Sequence, residues 1–349
     1  MSEVRGMLAV YDAQLRLDAE AHGALARRLL HWFPREGLLV EAPSAPEGAG
    51  ESLSLPVMTA VFAGDAGFIS HGTPGQGEAA ARLREELGLP GRMTALVRAG
   101  MDAVLSLAGE IQAGKSAAGG GEVPAGSAEA QGGIQPEAVA REGRPQAGLV
   151  RVEALRRPLS TLEWKTRSHD LLPGLGEALR AEGFTEGEEE SVMIGDAAAL
   201  AVELPLPEGV SLQRVRSMED ALALCIAAED AFGGRAADAP RRASDLMGRL
   251  ARGTGTEAWM ALADGEVVSG GRLEPVPGTD FAGIWGGFTL EEWRGQGIYR
   301  ALTAQRARTA LARGIALIHS DSTDYSRPIL ERYGFVRVTG TTPFELDFA

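Results

Sequence analysis

The chain has 349 residues, 44% of them hydrophobic, and a formal net charge of -14, which favours two domains with sizeable cores. Residues 210–349 hold 16 Arg against 18 Asp or Glu, so the acidic excess sits in the first 209; with no basic stripe and interleaved aromatics, a nucleic-acid partner is excluded. No run of 18 uninterrupted apolar residues occurs and Met1-Ser2-Glu3 opens no signal segment, so a cytoplasmic protein without a membrane partner is expected.

In chain order, Met7 to Tyr11 reads as a short strand, and Leu25, Leu29, Leu30 and Phe33 recur at helix spacing. Strands are expected over Leu38 to Val40, Val57 to Phe62 and Gly67 to Ser70, and helices over Glu78 to Leu87 and Met93 to Gln112. Between them His71-Gly72-Thr73-Pro74-Gly75-Gln76-Gly77 looks like a phosphate loop, but no arginine precedes it and Glu78 would occupy the positive end of the helix. Residues 114–148 contain nine Gly, three Pro and no aromatic residue, the composition of a flexible insertion. Leu162 to Thr166 is strand-like, Leu171 to Glu182 helix-like, and Gly183-Phe184 leads into a strand ending near Ile194.

After Leu204-Pro205-Leu206-Pro207 a second unit starts with a strand, Val210 to Val215, and a helix from Met218 that buries Leu222, Cys225 and Ile226. Cys225, the single cysteine, reads as a buried thiol rather than a nucleophile. The five histidines have no ligand spacing, so no metal is expected. Trp259 to Ala263 and Val267 to Leu273 form a hairpin across Asp264-Gly265. The apolar run Phe281 to Phe288 is a central strand, followed by the turn Trp293 to Gly297 and a helix to about Arg313. A strand Ile315 to Ser320, a helix Thr323 to Tyr333, Gly334-Phe335 and a last strand close the chain.

The first amides of a helix lack intrahelical partners and carry the positive end of its dipole, so a strand feeding a glycine turn feeding a helix makes an anion site. Gly295 and Gly297 allow close backbone approach, and Arg294 adds a cation. Neither a Walker loop nor a dinucleotide fingerprint fits, because no Gly-Lys-Ser/Thr follows and the turn has two glycines, not three.

Arg294-Gly295-Gln296-Gly297-Ile298 resembles the Arg/Gln-x-x-Gly-x-Gly/Ala coenzyme A loop of the GNAT N-acyltransferase superfamily, and the order of elements over residues 210–349 agrees. The closing grammar recurs upstream at an offset of 151 residues, where Asp170, Leu179, Gly183 and Phe184 meet Asp321, Leu330, Gly334 and Phe335. The resemblance therefore implies an α/β chain of two GNAT-like mixed β-sheet domains with flanking helices in tandem. Residues 1–205 would be a degenerate copy interrupted at about 114–148, and residues 206–349 the acetyltransferase domain. The same offset carried back from Arg294 lands at Gly143, inside the insertion.

The resemblance further implies acetyl-CoA as donor and no metal. Gly287, Phe288 and Thr289 would lend backbone groups to pantetheine, and Arg294, Gly295, Gln296, Gly297, Ile298 and Tyr299 would hold the pyrophosphate. Tyr299 departs from the motif by placing bulk where a small residue is usual. The family's acid tyrosine falls on Leu330 here, so Tyr325 is the preferred acid, with Tyr333 read as helix-end packing. Asp321, Asp324 and Asp280 are candidate bases, of which Asp321 is carried forward, and Glu229 could bind a cationic acceptor. The implied function is acyl transfer from acetyl-CoA to an amine of a small molecule or peptide; the alternative is a non-catalytic acyl-CoA-binding sensor or scaffold. Oligomeric state is left open.

Overall fold

The computed structural model describes residues 2–16, 26–33, 38–41, 58–63, 66–71, 81, 85, 87–89, 91–112, 159–170 and 172–348. Its strands are β1 (Ala26–Phe33), β2 (Leu38–Glu41), β3 (Met58–Ala63), β4 (Ala66–His71), β5 (Thr161–Arg167), β6 (Thr185–Glu186) and β7 (Glu190–Asp196) in the first half. The second half adds β8 (Val210–Arg214), β9 (Glu257–Ala263), β10 (Glu266–Pro275), β11 (Phe281–Thr289), β12 (Leu317–Ser322) and β13 (Val336–Asp347). The helices are α1 (Ser2–Gln14), α2 (Arg92–Gln112), α3 (Leu175–Ala181), α4 (Ala197–Leu200), α5 (Met218–Phe232), α6 (Ala239–Ala251), α7 (Ile298–Leu311) and α8 (Arg327–Tyr333).

All these strands join one mixed sheet in the order β2-β1-β3-β4-β5-β13-β7-β12-β11-β10-β9-β8, with β6 paired to β13. The expected α/β class, a mixed sheet with flanking helices, is what the chain adopts. Among the described residues each half contains one parallel pair, β4 with β5 and β11 with β12. What the sequence does not disclose is how the halves join. β13, the last strand of the chain, pairs antiparallel with β5 of the first half (Thr341↔Arg167) and with β7 (Val336↔Ile194). β7 in turn pairs antiparallel with β12 of the second half (Leu317↔Asp196). Each half's closing strand thus completes the sheet of the other, and Phe344 of β13 packs in the same cluster as Trp164, Leu162 and Ile69 of the first half.

Two local expectations are corrected. Met7 to Tyr11 belongs to a helix, because Tyr11 and Leu15, four apart, both bury against Val192, Ile194, Phe281 and Val338 of the sheet. The stretch around Leu29 and Leu30 is strand β1, not helix; it pairs on both sides, with β2 (Leu30↔Glu41) and β3 (Leu30↔Met58), and tertiary pairing overrides the apparent helical spacing. By topology, β4 stands to β5 as β11 stands to β12. Residues 72–77 and the insertion 114–148 lie outside the described residues, as does the start of the helix expected from Glu78.

Within the second half, α5 opens with a capping box, Ser217 accepting from the Asp220 amide, and ends at Gly233 in the left-handed region. Its buried face carries Leu224 and Cys225, whereas Ile226, expected inside, is 47% exposed. The hairpin turn is as expected: Asp264 and Gly265 both have positive φ (50° and 85°), which matches the twist of β9 and β10.

Because β13 serves both halves, Phe344→Ala should remove about 3 to 5 kcal/mol and lower one shared thermal transition. Circular dichroism and tryptophan fluorescence followed on the same sample check this; two separated transitions would show that the halves melt independently.

Candidate functional site

β11 and β12 run together only from Phe281↔Leu317 to Gly283↔His319. Beyond that point β12 stays with β7 as far as Ser322↔Ser191, while β11 stays with β10 as far as Thr289↔Ser269. The two strands part, and the wedge between them opens into a cavity of about 750 Å³ lined by the end of β11, the start of α7, the end of β12 and α8. Among the described residues no strand pairs with the wedge-facing edge of β11 after Gly283, so its backbone groups there are open to an extended ligand.

A β-bulge shapes that edge. Gly270↔Phe288 and Arg272↔Trp285 leave Gly286 and Gly287 opposite the single residue Gly271, and Gly286 has φ 57°. Gly287 is required for another reason. A Cβ there would stand 2.6 Å from the Tyr299 hydroxyl, so the ring of Tyr299 lies directly against this glycine. The bulk expected to obstruct the loop is thereby absorbed, and the ring is held between the buried Arg306 guanidinium (5.8 Å) and the Tyr333 ring (6.3 Å).

The turn into α7 has the conformation an anion site needs. Gly297 is the N-cap with φ 82°, no side chain caps the helix, and no acidic residue occupies its first turn. A Cβ at Gly295 or Gly297 would meet nothing within 4 Å, so positive φ, rather than space, demands glycine at both positions. Arg294, Arg300 and Arg332 line the same cavity. The Arg294 Nε donates to the Thr289 carbonyl at 3.1 Å, which fixes the side chain across the mouth of the turn.

The remaining site residues divide. Gly287, Phe288, Thr289, Arg294, Gly295, Gly297, Ile298, Tyr299, Asp321 and Tyr325 all line the cavity, whereas Gln296 turns its side chain away to the Glu292 carbonyl (3.1 Å). Asp280 sits at the start of β11 and is bound by the Gln14 side chain (3.1 Å), and Asp324 is exposed beside Arg327 (3.3 Å); neither lines the cavity. Glu229 is buried and paired with Arg242 at 2.6 Å, in a second pocket. Burial pushes the Cys225 thiol up, so it rests protonated.

Lys165, on β5 of the first half, was not legible as a site residue. Its Nζ donates to Asp321 Oδ2 at 2.8 Å, both side chains being nearly buried. Burial alone would raise the Asp321 pKa, but the charge and hydrogen bond of Lys165, with Arg167 and His319 behind it, hold it below the usual carboxylate range. Tyr333 also lines the cavity, and burial raises its pKa, with Tyr299 adding to the shift. In the first half the last residue of β4, His71, is bonded by residues of α1's end and β5. The Arg16 Nε donates to the His71 carbonyl at 2.6 Å, Arg16 pairs with Asp170, and Trp164 Nε1 donates to His71 Nδ1 at 3.1 Å. Among the described residues no group of three His, Cys, Asp or Glu side chains converges as a metal site, and no helix is long and apolar enough to cross a membrane.

Residues 224–335 match the model of the acetyltransferase (GNAT) family. The match lies wholly within the C-terminal half. No curated protein matches the chain. Among solved structures, the chain is similar to a tandem GNAT protein from the clavulanic acid biosynthesis pathway (14% identity, 97% of this chain and 94% of that one, TM-score 0.48). It is also similar to GCN5-related N-acetyltransferases from Sphaerobacter thermophilus (15%, 89% and 79%, TM-score 0.48) and Kribbella flavida (20%, 54% and 68%, TM-score 0.41). The GNAT match takes in β11, α7 and β12, which line the wedge.

A carboxylate with a depressed folded pKa contributes stability above its unfolded value, about 3.9, and loses it as pH falls through the folded value. Asp321→Asn should therefore cost about 1.5 to 3 kcal/mol at pH 7, with the difference from the unaltered protein closing as pH drops below about 4. Urea melts at pH 7 and pH 2.5 check it; a difference that persists at the lower pH would place the cost in packing, not charge.

Proposed function

We propose that the C-terminal half is an N-acyltransferase that moves an acetyl group from acetyl-CoA to an amine of a small molecule or peptide by direct transfer. The observation that carries this reading is the wedge where β11 leaves β12, ending at an uncapped helix N-terminus ringed by Arg294, Arg300 and Arg332. An extended pantetheine arm fits the open edge of β11 as an added strand, and a pyrophosphate fits the amides of Ile298 and Tyr299 with the arginine ring. Acetyl-CoA bound in this way supplies a thioester carbonyl at the level of Gly286 and Gly287.

In this reading the residues of the chain do the following. Asp321, kept anionic by Lys165, draws the ammonium form of the acceptor towards the wedge; its depressed pKa makes it a weak proton acceptor, so it hands the proton on to solvent at the open mouth. The neutral amine attacks the thioester carbon, the carbon–sulfur bond breaks, and the leaving thiolate takes a proton from Tyr325, which lies in the cavity wall at 70% exposure. The nitrogen, left with one proton too many by the attack, releases it to water at the open mouth, and Tyr325 recovers a proton from the same water.

The test is release of free thiol from acetyl-CoA, followed with and without a panel of amines. Amine-dependent release supports transfer, whereas tight binding with slow loss that no amine accelerates supports the sensor reading. Gly297→Val should weaken acetyl-CoA binding at least about a hundredfold, because a β-branched residue cannot hold positive φ and at least two charge-assisted bonds of roughly 1.5 to 3 kcal/mol each are lost. Arg294→Ala, which removes one solvated contact, should cost only about three- to tenfold. Calorimetric titration of both variants, each shown by circular dichroism to be folded, checks that order.

A further inference from the structure

Arg306, on α7, is 1% exposed and lies behind the bulge of β11. A Cβ on Gly271 would stand 2.5 Å from its Nη1 and 3.3 Å from the Gly287 Cα, so the guanidinium reaches the strands where Gly286 and Gly287 oppose Gly271. Its Nε donates to the Leu302 carbonyl (3.3 Å), Nη1 to the Arg272 carbonyl (3.3 Å) and Nη2 to Thr303 Oγ1 (3.1 Å). Among the described residues it forms no ion pair with a carboxylate. Burial pushes the Arg306 pKa down, Tyr299 pulls it back up by charge and a hydrogen bond, and Arg272 adds to the depression. Arg272 is itself paired with Glu274 at 2.8 Å.

A buried cation held without a carboxylate is costly, so its place calls for a reason. A guanidinium has five N–H donors and no acceptor, so the phenol oxygen of Tyr299 accepts from Arg306 and the phenol hydrogen points elsewhere. That hydroxyl lies 2.6 Å from where a Cβ on Gly287 would stand, and Tyr299 and Gly287 both line the cavity. Among the described residues none accepts its hydrogen. The remaining O–H is therefore a preset donor at the level where the thioester carbonyl would lie. A fixed positive charge stands behind it, which is the combination that stabilises an oxygen gaining negative charge.

We propose that the Tyr299 hydroxyl is the donor that stabilises the oxyanion of acyl transfer, and that Arg306 is the positioning residue that turns it towards the substrate. This role rests on the acyl-transfer reading above. As the amine nitrogen forms its bond to the carbonyl carbon, the π pair of the carbonyl moves to oxygen, which accepts the Tyr299 hydrogen bond. As the carbon–sulfur bond breaks, that pair returns to re-form the carbonyl and sulfur leaves with the bonding pair. The phenol proton stays on Tyr299 throughout, and the thiolate takes its proton from Tyr325 as before. The bulk by which Tyr299 departs from the motif is then the functional part of the residue.

The experiment uses the full chain and acetyl-CoA isotopically labelled at the thioester carbonyl carbon, whose infrared band falls in frequency when the oxygen accepts a hydrogen bond. In the parent the band of the bound donor should lie below that in Tyr299→Phe, which keeps the ring between Arg306 and Tyr333 and loses only the hydroxyl. Tyr299→Phe should also lower kcat for amine-dependent thiol release about a hundredfold, with acetyl-CoA affinity held within about threefold. Arg306→Met should lower kcat at least about tenfold in the parent and no further in the Tyr299→Phe background, because it acts through Tyr299. Arg306→Lys should restore part of that loss, and it carries the same comparison should Arg306→Met not fold. Identical bands in parent and Tyr299→Phe, or an unchanged kcat in that variant, would overturn the proposal. Equal losses from the Arg306 variants in both backgrounds would overturn the positioning role. A lowered band in the parent, without thiol release to any amine, would keep the Tyr299 hydrogen bond and overturn the transfer reading on which the oxyanion role rests.

Discussion

Where β7 and β13 lie side by side, from Val336↔Ile194 to Thr341↔Glu190, two closing strands far apart in sequence share one ladder. Each also pairs outward with the other half's parallel-pair strand, β13 with β5 and β7 with β12. Neither half can complete its sheet without the other, because removing either strand would leave two open edges in the middle of the molecule. The position of the site follows from this arrangement. β12 is drawn towards β7 at its far end while β11 is tied to β10, and the divergence of those two loyalties opens the wedge.

The wedge is a place where backbone polar groups are left available on purpose, and the surrounding residues make that tolerable. The bulge at Gly286 and Gly287 lets Tyr299 lie flat against the strand, Arg294 ties off the Thr289 carbonyl, and positive φ at Gly297 turns the first amides of α7 into the cavity. The first half has the same parallel pair but ends differently. Arg16 donates to the carbonyl of His71 at the end of β4, whereas among the described residues no strand pairs with β11 on its wedge side after Gly283.

Much of the second half was legible because its chemistry is local. An apolar strand, a glycine turn, an uncapped helix and Gly334-Phe335 are written in consecutive residues, and the elements appear within a few residues of their expected bounds. What failed was long-range. β1 carries leucines at helix spacing, yet it is held by pairing partners on both sides; Ile226 has the chemistry of a core residue but faces outward, with Leu224 taking the inner position. Lys165 gives no local sign of its role, since its partner Asp321 is 156 residues away and is brought near by the strand exchange. Tyr299 looked obstructive from the motif, and only the position of Gly287 explains how it fits.

The shared ladder also fixes an order of events during synthesis. When residue 200 has emerged from the ribosome, β5 and β7 have been made but the strand that belongs between them, β13, begins only at Val336. Until it arrives, the first half presents two unpaired strand edges to its surroundings, the situation in which nascent chains pair wrongly with one another. The contacts that close the gap join residues such as Arg167 and Thr341, so closure is slow by topology. The edges of β5 and β7 that face the gap therefore stay uncovered for as long as the second half takes to be translated.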